Sequence, residues 1–283
     1  MRVKNHKIEG IPYRAAKAIG RVIVPEIVIL HDTAGRLDKG NSAGYLRDNP
    51  AGVSVHFVVE RDGSIEQQVP TNRRAGHAGK SSYHGRGDCN AFAIGIEIVN
   101  PGRMLVLADG MAQAWWGEMF APEGLDWRIA ATPEHGRGAW ATYTGAQIEA
   151  LKRLLTALFS GIPTLRDITT HWYVSPGRKV DTNPLFPLDE LRAAIFGPFD
   201  PADAEAEAAS EEVPTATMLR VHAPGDTLNM RRWPSFNPNV IGAIPDGTLV
   251  PALRRGVFDG RAWSLVQYAG REGWIVDAYA ALT

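Results

Sequence analysis

Seventeen residues decide how this chain divides. Residues 200–216 carry six acids and no base, whereas residues 1–199 hold 23 Lys+Arg against 20 Asp+Glu and residues 217–283 hold seven Arg against five acids. The strip is rich in Ala, Glu and Pro, with little apolar content after Phe199. Residues 198–216 therefore read as a linker, because such a composition buries too little apolar surface to offset its ordering entropy. A short exposed helix through the Ala-Glu run is the competing reading. Prolines bracket the segment and the composition changes on both sides, which favours the linker. The chain must then build two separate cores, from residues 1–197 and from residues 217–283.

The first piece mixes strands and helices. Residues 26–30, EIVIL, form a short apolar run that suits a buried strand. Residues 53–59 are β-branched and aromatic, and Arg61, Asp62, Gly63 and Ser64 follow as a hairpin turn. Ile94, Ile96 and Ile98 alternate with Gly95, Glu97 and Val99, which turns Glu97 away from the isoleucine face. Thr144 and Gln147 have the spacing of a capping box, and Ile148, Leu151, Leu155 and Leu158 then make one helical stripe. A closing helix is expected from Leu188 to Phe196. The fold class expected is α/β: a mixed central β-sheet with flanking helices. After the acidic strip come short runs broken by Gly, Pro and Asn, at 228–231, 239–242, 247–250, 262–268 and 273–276. Their close spacing points to a small all-β barrel.

Bulk properties exclude several function classes. A net charge of -1 gives no electrostatic pull toward nucleic acid or an anionic membrane. The single cysteine, Cys89, makes neither an internal disulfide nor a thiolate-rich metal site, and reads as a small buried residue. No segment approaches the ~18 consecutive apolar residues of a membrane span, so membrane insertion is not expected. The start, MRVKNHKIEG, has no apolar run behind its charges and does not read as a secretory signal. The chain is expected to be made in the cytoplasm, and a substrate outside the membrane requires separate delivery.

The chemistry sits in two stretches. His31 ends the EIVIL strand, where a side chain is held rigidly yet faces a cleft. His171 and Asp181 stand ten residues apart across a Pro-Gly loop. Two imidazoles and a carboxylate suit a catalytic zinc, which takes three protein ligands and leaves a fourth position open. Lys179 lies two residues before Asp181, and Glu97 stands off the core-facing side of its strand as a candidate general base. His6, His56, His84, His135 and His222 lack a second ligand at useful spacing and read as non-ligands, His84 and His135 as polar-loop residues.

These stretches, IVILHDTAG, VSVHFVVERDGSIEQQVP, HAGKSSYHGRGDCNAFAIGIEIVN and THWYVSPGRKVDTNPLFP, resemble in order the zinc-dependent N-acetylmuramoyl-L-alanine amidases, which include phage amidase lysozymes, the recycling amidase of anhydromuropeptides and animal peptidoglycan-recognition proteins. The resemblance implies a peptidoglycan hydrolase cutting between N-acetylmuramic acid and the L-alanine of the stem peptide. It places the Zn2+ ligands on His31, His171 and Asp181, the catalytic glutamate and lysine on Glu97 and Lys179, and His77 beside the substrate cleft. The partners implied are peptidoglycan or muropeptides. Gly76 stands where the family often has Trp, and Asp181-Thr182-Asn183-Pro184 where it often reads D-P-G-P, so substrate contacts and loop shape differ. Residues 103–140, with Trp115, Trp116, Trp127 and Trp140, form a long insertion. It reads either as a lid stacking on substrate through Trp115 and Trp116 or as a surface piece packing its own aromatics.

In the second piece, the pattern LN-R, then G-T, then G-x-x-GW resembles the bacterial SH3-like domain, which implies wall binding. Trp233, Phe236, Trp263 and Trp274 are its candidate contacts. A wall-binding domain favours lytic action at the wall, as in an endolysin or a remodelling enzyme. The alternatives are a cytoplasmic recycler of anhydromuropeptides and a non-catalytic peptidoglycan binder.

Overall fold

The structure, a computed structural model, describes residues 1–132, 134–197, 199–236 and 239–283. It divides into two compact units, Met1–Phe186 and Pro187–Thr283.

The central sheet of the first unit has five strands in the order Asp167–Thr170, Ile27–Asp32, Ala93–Ile98, Phe57–Val59 and Ile65–Gln67. The first four are mutually parallel and the last closes an antiparallel hairpin, so the sheet is mixed. Residues 27–30 are buried throughout, as a parallel strand covered on both faces requires. The turn at 61–64 forms as expected, with Gly63 at φ 78°, but the strand before it begins only at Phe57. The Gly145–Gly161 helix covers the sheet. Its capping box is complete: the Thr144 hydroxyl accepts from the Gln147 N–H and the Gln147 side chain accepts from the Thr144 N–H. Leu151, Leu154, Leu155 and Leu158 form its buried stripe; Ile148 sits at the stripe's edge and is only half-buried.

The insertion after the Glu97 strand folds as a second sheet. Its five antiparallel strands run in the order Met119–Phe120, Ala112–Gln113, Arg103–Val106, Gly136–Ala141 and Trp127–Thr132. Met104, Ala112, Ala114, Leu125, Ala139 and Ala141 make its core, with Trp116 and Trp127 packed against it. Trp140 is also buried, so three of the four tryptophans serve packing and Trp115 alone among them is exposed.

The second unit is dominated by an eight-stranded sheet whose core includes Leu228, Met230, Ile244, Val266, Trp263, Trp274 and Ile275. The strands expected near 228, 240, 250, 262 and 273 are all present. Trp233, Trp263 and Trp274 are buried and are not surface contacts; Phe236 is half-buried against Trp263.

Most of the segment expected as a linker takes up regular structure; Pro198 lies outside the described residues. Pro201–Ala208 is a helix, and Ser210–Glu212 pairs antiparallel with the Leu249–Phe258 strand. Asp200 caps the helix by accepting from the Ala202 N–H, Pro201 occupies its first turn, and the Ala-Glu run has high helix propensity. Ala206 reaches the core, and Asp200 forms a fully buried ion pair with Arg192, whose guanidinium lies 4.7 Å from the Trp233 ring centroid. The Leu188–Phe196 helix forms as expected but groups with the second unit rather than closing the first.

Candidate active site

The parallel register sets the site. Leu30 pairs with Thr170 and His31 with Glu97, so His31, Glu97 and the start of the 171 loop reach one level at the carboxyl ends of three adjacent strands. Open α/β sheets bind ligands at this edge, where strand ends leave a crevice.

Three side chains converge there. His31 Nδ1 lies 2.8 Å from His171 Nδ1, and Asp181 Oδ2 lies 2.9 Å from His171 Nδ1 and 3.3 Å from His31 Nδ1. The three donor atoms fall within 4.8 Å of one another, and no other such group of His, Cys, Asp and Glu occurs among the described residues. Their remaining atoms are committed elsewhere. His171 Nε2 lies 3.1 Å from the Ala78 carbonyl and His31 Nε2 lies 2.9 Å from His77 Nδ1; with the ring hydrogens on these Nε2 atoms, each ring turns an Nδ1 lone pair inward. Two lone pairs and a carboxylate oxygen facing one point repel one another unless a cation lies between them. The donor set therefore fits a divalent metal of zinc's ligand preference.

Electrostatics reinforce this. His31 is pushed down to about 4, by burial first and by the neighbouring His171 second. Burial opposes ionisation of Asp181, but the adjoining His171 and His31 rings hold its carboxyl below the usual range. Both groups are thus in the protonation state a metal needs. Glu97 moves the other way: burial, then repulsion from Asp181 and Asp32, raise it well above the usual carboxylate range. One of its oxygens is buried with no partner among the described residues. Lys179 is half-buried, and its charge acts on both His31 and Glu97.

His77, expected beside the cleft, is 7% exposed, with its Nδ1 2.9 Å from His31 Nε2. Gly95 makes this possible, since a Cβ there would lie 2.5 Å from the His77 ring. Trp115 is 75% exposed, its Nε1–H donating to the carbonyl of Ala34, three residues beyond His31. Trp116 is half-buried and donates to Glu118. His56 is a buried non-ligand, as expected, with Nδ1 accepting from the Gly95 N–H and Nε2–H donating to the Arg73 carbonyl. His135 sits in the turn before the Gly136–Ala141 strand, as its surroundings in sequence suggest, but it is buried beside the 181–183 segment. Asp32 was also missed. Its carboxylate accepts from Tyr143 Oη–H at 2.6 Å and from the Asn183 N–H at 2.9 Å, tying the Asp181 loop to the His31 strand.

Comparison with known proteins gives a consistent result. A family model described as N-acetylmuramoyl-L-alanine amidase matches residues 21–184. The 1,6-anhydro-N-acetylmuramyl-L-alanine amidase AmpD of Salmonella typhimurium (strain SL1344) is 33% identical over 144 residues, covering 50% of this chain and 57% of the relative. The AmpD of Escherichia coli (strain K12) is 32% identical over 144 residues, covering 50% and 58%. The match thus spans little more than half the length of these relatives. Among solved structures, the N-acetylmuramyl-L-alanine amidase AmiD from E. coli, in complex with anhydro-N-acetylmuramic acid-L-Ala-D-gamma-Glu-L-Lys, has 26% identity and a TM-score of 0.46, covering 64% of this chain and 60% of that one.

Proposed function

The chain belongs to the N-acetylmuramoyl-L-alanine amidase family, and from that premise we propose that it hydrolyses the amide between N-acetylmuramic acid and the L-alanine of the peptidoglycan stem peptide, as a zinc enzyme. The observation that carries the reading is the convergence of His31, His171 and Asp181 beside Glu97 at the strand ends. A zinc ion held by these three supplies Lewis acidity toward the lactyl carbonyl and toward water.

The chain's own residues do the rest. Glu97, its proton affinity raised by burial and then by Asp181, takes the proton of the attacking water and passes it to the leaving amine of L-alanine. Its raised proton affinity suits both halves of that transfer. Lys179, the nearby cation, offsets the negative charge that develops on the carbonyl oxygen. His77 and Asp32 fix the ring and loop that carry the ligands. Trp115, tethered by its Nε1–H with its ring faces open to solvent, is the proposed contact for the sugar or peptide; Trp116 is assigned to packing.

Residues 217–283 of the second unit are proposed to be an SH3-like wall-binding domain, on the strength of their LN-R and G-x-x-GW strands and the β-rich core. Wall binding raises the local concentration of enzyme on the polymer and favours a lytic role at the cell wall. The AmpD relatives favour a second reading, action on soluble anhydromuropeptides. Parallel digestion of purified sacculi and of a soluble anhydromuropeptide separates them: release of stem peptides from sacculi supports the lytic role, and turnover of the fragment alone supports recycling.

A further inference from the structure

The segment 181–183 carries one of the three converging side chains, and the insertion holds that segment at two points. His135 Nε2 lies 3.1 Å from the Thr182 carbonyl, and Asn183 Nδ2–H donates to the Ala141 carbonyl at 2.9 Å. His135 immediately precedes the Gly136–Ala141 strand, and Ala141 ends it. A single strand of the insertion therefore grips the residues after Asp181 with both of its ends.

The His135 ring is oriented for this role. The Thr132 hydroxyl accepts from the His135 backbone N–H at 3.0 Å, so its own hydrogen is free to point at His135 Nδ1, 2.8 Å away. Nδ1 is then the acceptor and Nε2 carries the hydrogen that the Thr182 carbonyl needs. The ring is 3% exposed and packs edge-on against Trp140 and against Trp172, the residue after His171. One imidazole thus touches the sequence neighbours of both His171 and Asp181.

We propose that His135 is a positioning residue for the metal site, through which the insertion braces the ligand loop. The inference rests on the reading that His31, His171 and Asp181 hold a metal. Asp181 Oδ2 must stay within about 3 Å of two imidazole nitrogens, and the backbone that carries it is fixed from the far side by His135. Partners that orient ligands in this way typically change metal affinity ~10–100-fold when lost.

The test is zinc affinity of the full chain, measured by competition with a chromophoric chelator on metal-free protein shown to be folded by circular dichroism. His135→Phe keeps the ring packing and removes the donor; His135→Gln returns an amide N–H near the Nε2 position. The expected result is at least about tenfold weaker zinc binding for His135→Phe and near wild-type binding for His135→Gln. Wild-type affinity in His135→Phe, or equal weakening in both variants, overturns the brace. Asp181→Ala separates the premise: if it binds zinc as tightly as wild type, the metal reading itself fails. If His135→Phe does not fold, Thr132→Val, which frees the ring to rotate, takes its place; weakened binding supports the brace and unchanged binding overturns it.

Discussion

Gly95→Ala puts one methyl group where the site has no room. The added Cβ would lie 2.5, 2.6 and 2.7 Å from three atoms of the His77 ring, against the ~3.5–4.0 Å of an ordinary carbon contact. The ring must retreat by about 1 Å. Its Nδ1 accepts from His31 Nε2–H at 2.9 Å, and a displacement of that size carries the pair past the distance at which a hydrogen bond survives. Overpacking of this kind costs ~1–3 kcal/mol, and a buried donor left unpaired costs a further ~1–3 kcal/mol. A central value of about 4 kcal/mol lowers the melting temperature of a unit this size by roughly 8–16 °C. Because His31 loses the partner that fixes its tautomer, zinc affinity should fall ~10–100-fold as well. Thermal unfolding by circular dichroism and a zinc competition titration read the two effects separately. Adding His77→Ala to Gly95→Ala should restore part of the melting temperature, since the clash is gone, without restoring affinity. A Gly95→Ala protein with wild-type melting temperature and wild-type zinc affinity refutes the packing argument.

Three other outcomes follow from the same structure. Glu97→Gln should retain zinc while its turnover drops by ~10²–10⁴, and Lys179→Ala should lose ~10²–10³ in kcat with unchanged metal content by atomic absorption; metal loss in either contradicts the division of roles. His56 is pushed down to about 4 by burial, so the folded state resists protonation that the unfolded chain accepts near 6.5. The contribution of His56 should therefore be complete above pH ~6.5 and fall by about 3 kcal/mol as the pH drops from there to ~4; the difference in urea stability between wild type and His56→Gln should change by that amount across the range, and a pH-independent difference would refute it. Arg192→Met leaves Asp200 buried and unpaired and should destabilise the second unit by ~3–5 kcal/mol, read as an earlier denaturant transition, whereas a change below ~1 kcal/mol would show that water reaches the carboxylate.

The candidate site was legible in the sequence where local pattern carries it. His31 could be placed because EIVIL reads as a strand and the residue directly after it falls at the strand's end. Glu97 could be placed because period-two alternation separates it from the isoleucines. Thr144 and Gln147 announced their helix through the spacing of a capping box. What the sequence concealed depends on packing between distant segments. His135 stands beside Gly136 and Glu134 in a polar stretch, and nothing within a few residues signals that Trp140 and Trp172 close over its ring. The burial of His77 against His31 carries no local signal either, since it depends on the missing Cβ of Gly95, eighteen positions later. Asp32 carries no signal until Tyr143 and Asn183 arrive from elsewhere in the chain. The acidic strip misled for a different reason. Ala, Glu and Pro describe a linker by composition, yet Asp200-Pro201 is a helix start by position, and one buried arginine anchors it.

The central claim is that three converging side chains make this chain a metal-dependent amidase. Mass spectrometry of the products released from purified sacculi, with wild-type protein, wild type plus a chelator, and Asp181→Ala, tests it most directly. The account predicts free stem peptides beginning at L-alanine with the wild type alone, and their return when zinc is added back to the chelated sample. Equal release in the presence of chelator or by Asp181→Ala, or products cut at a glycosidic bond or within the peptide, would contradict it.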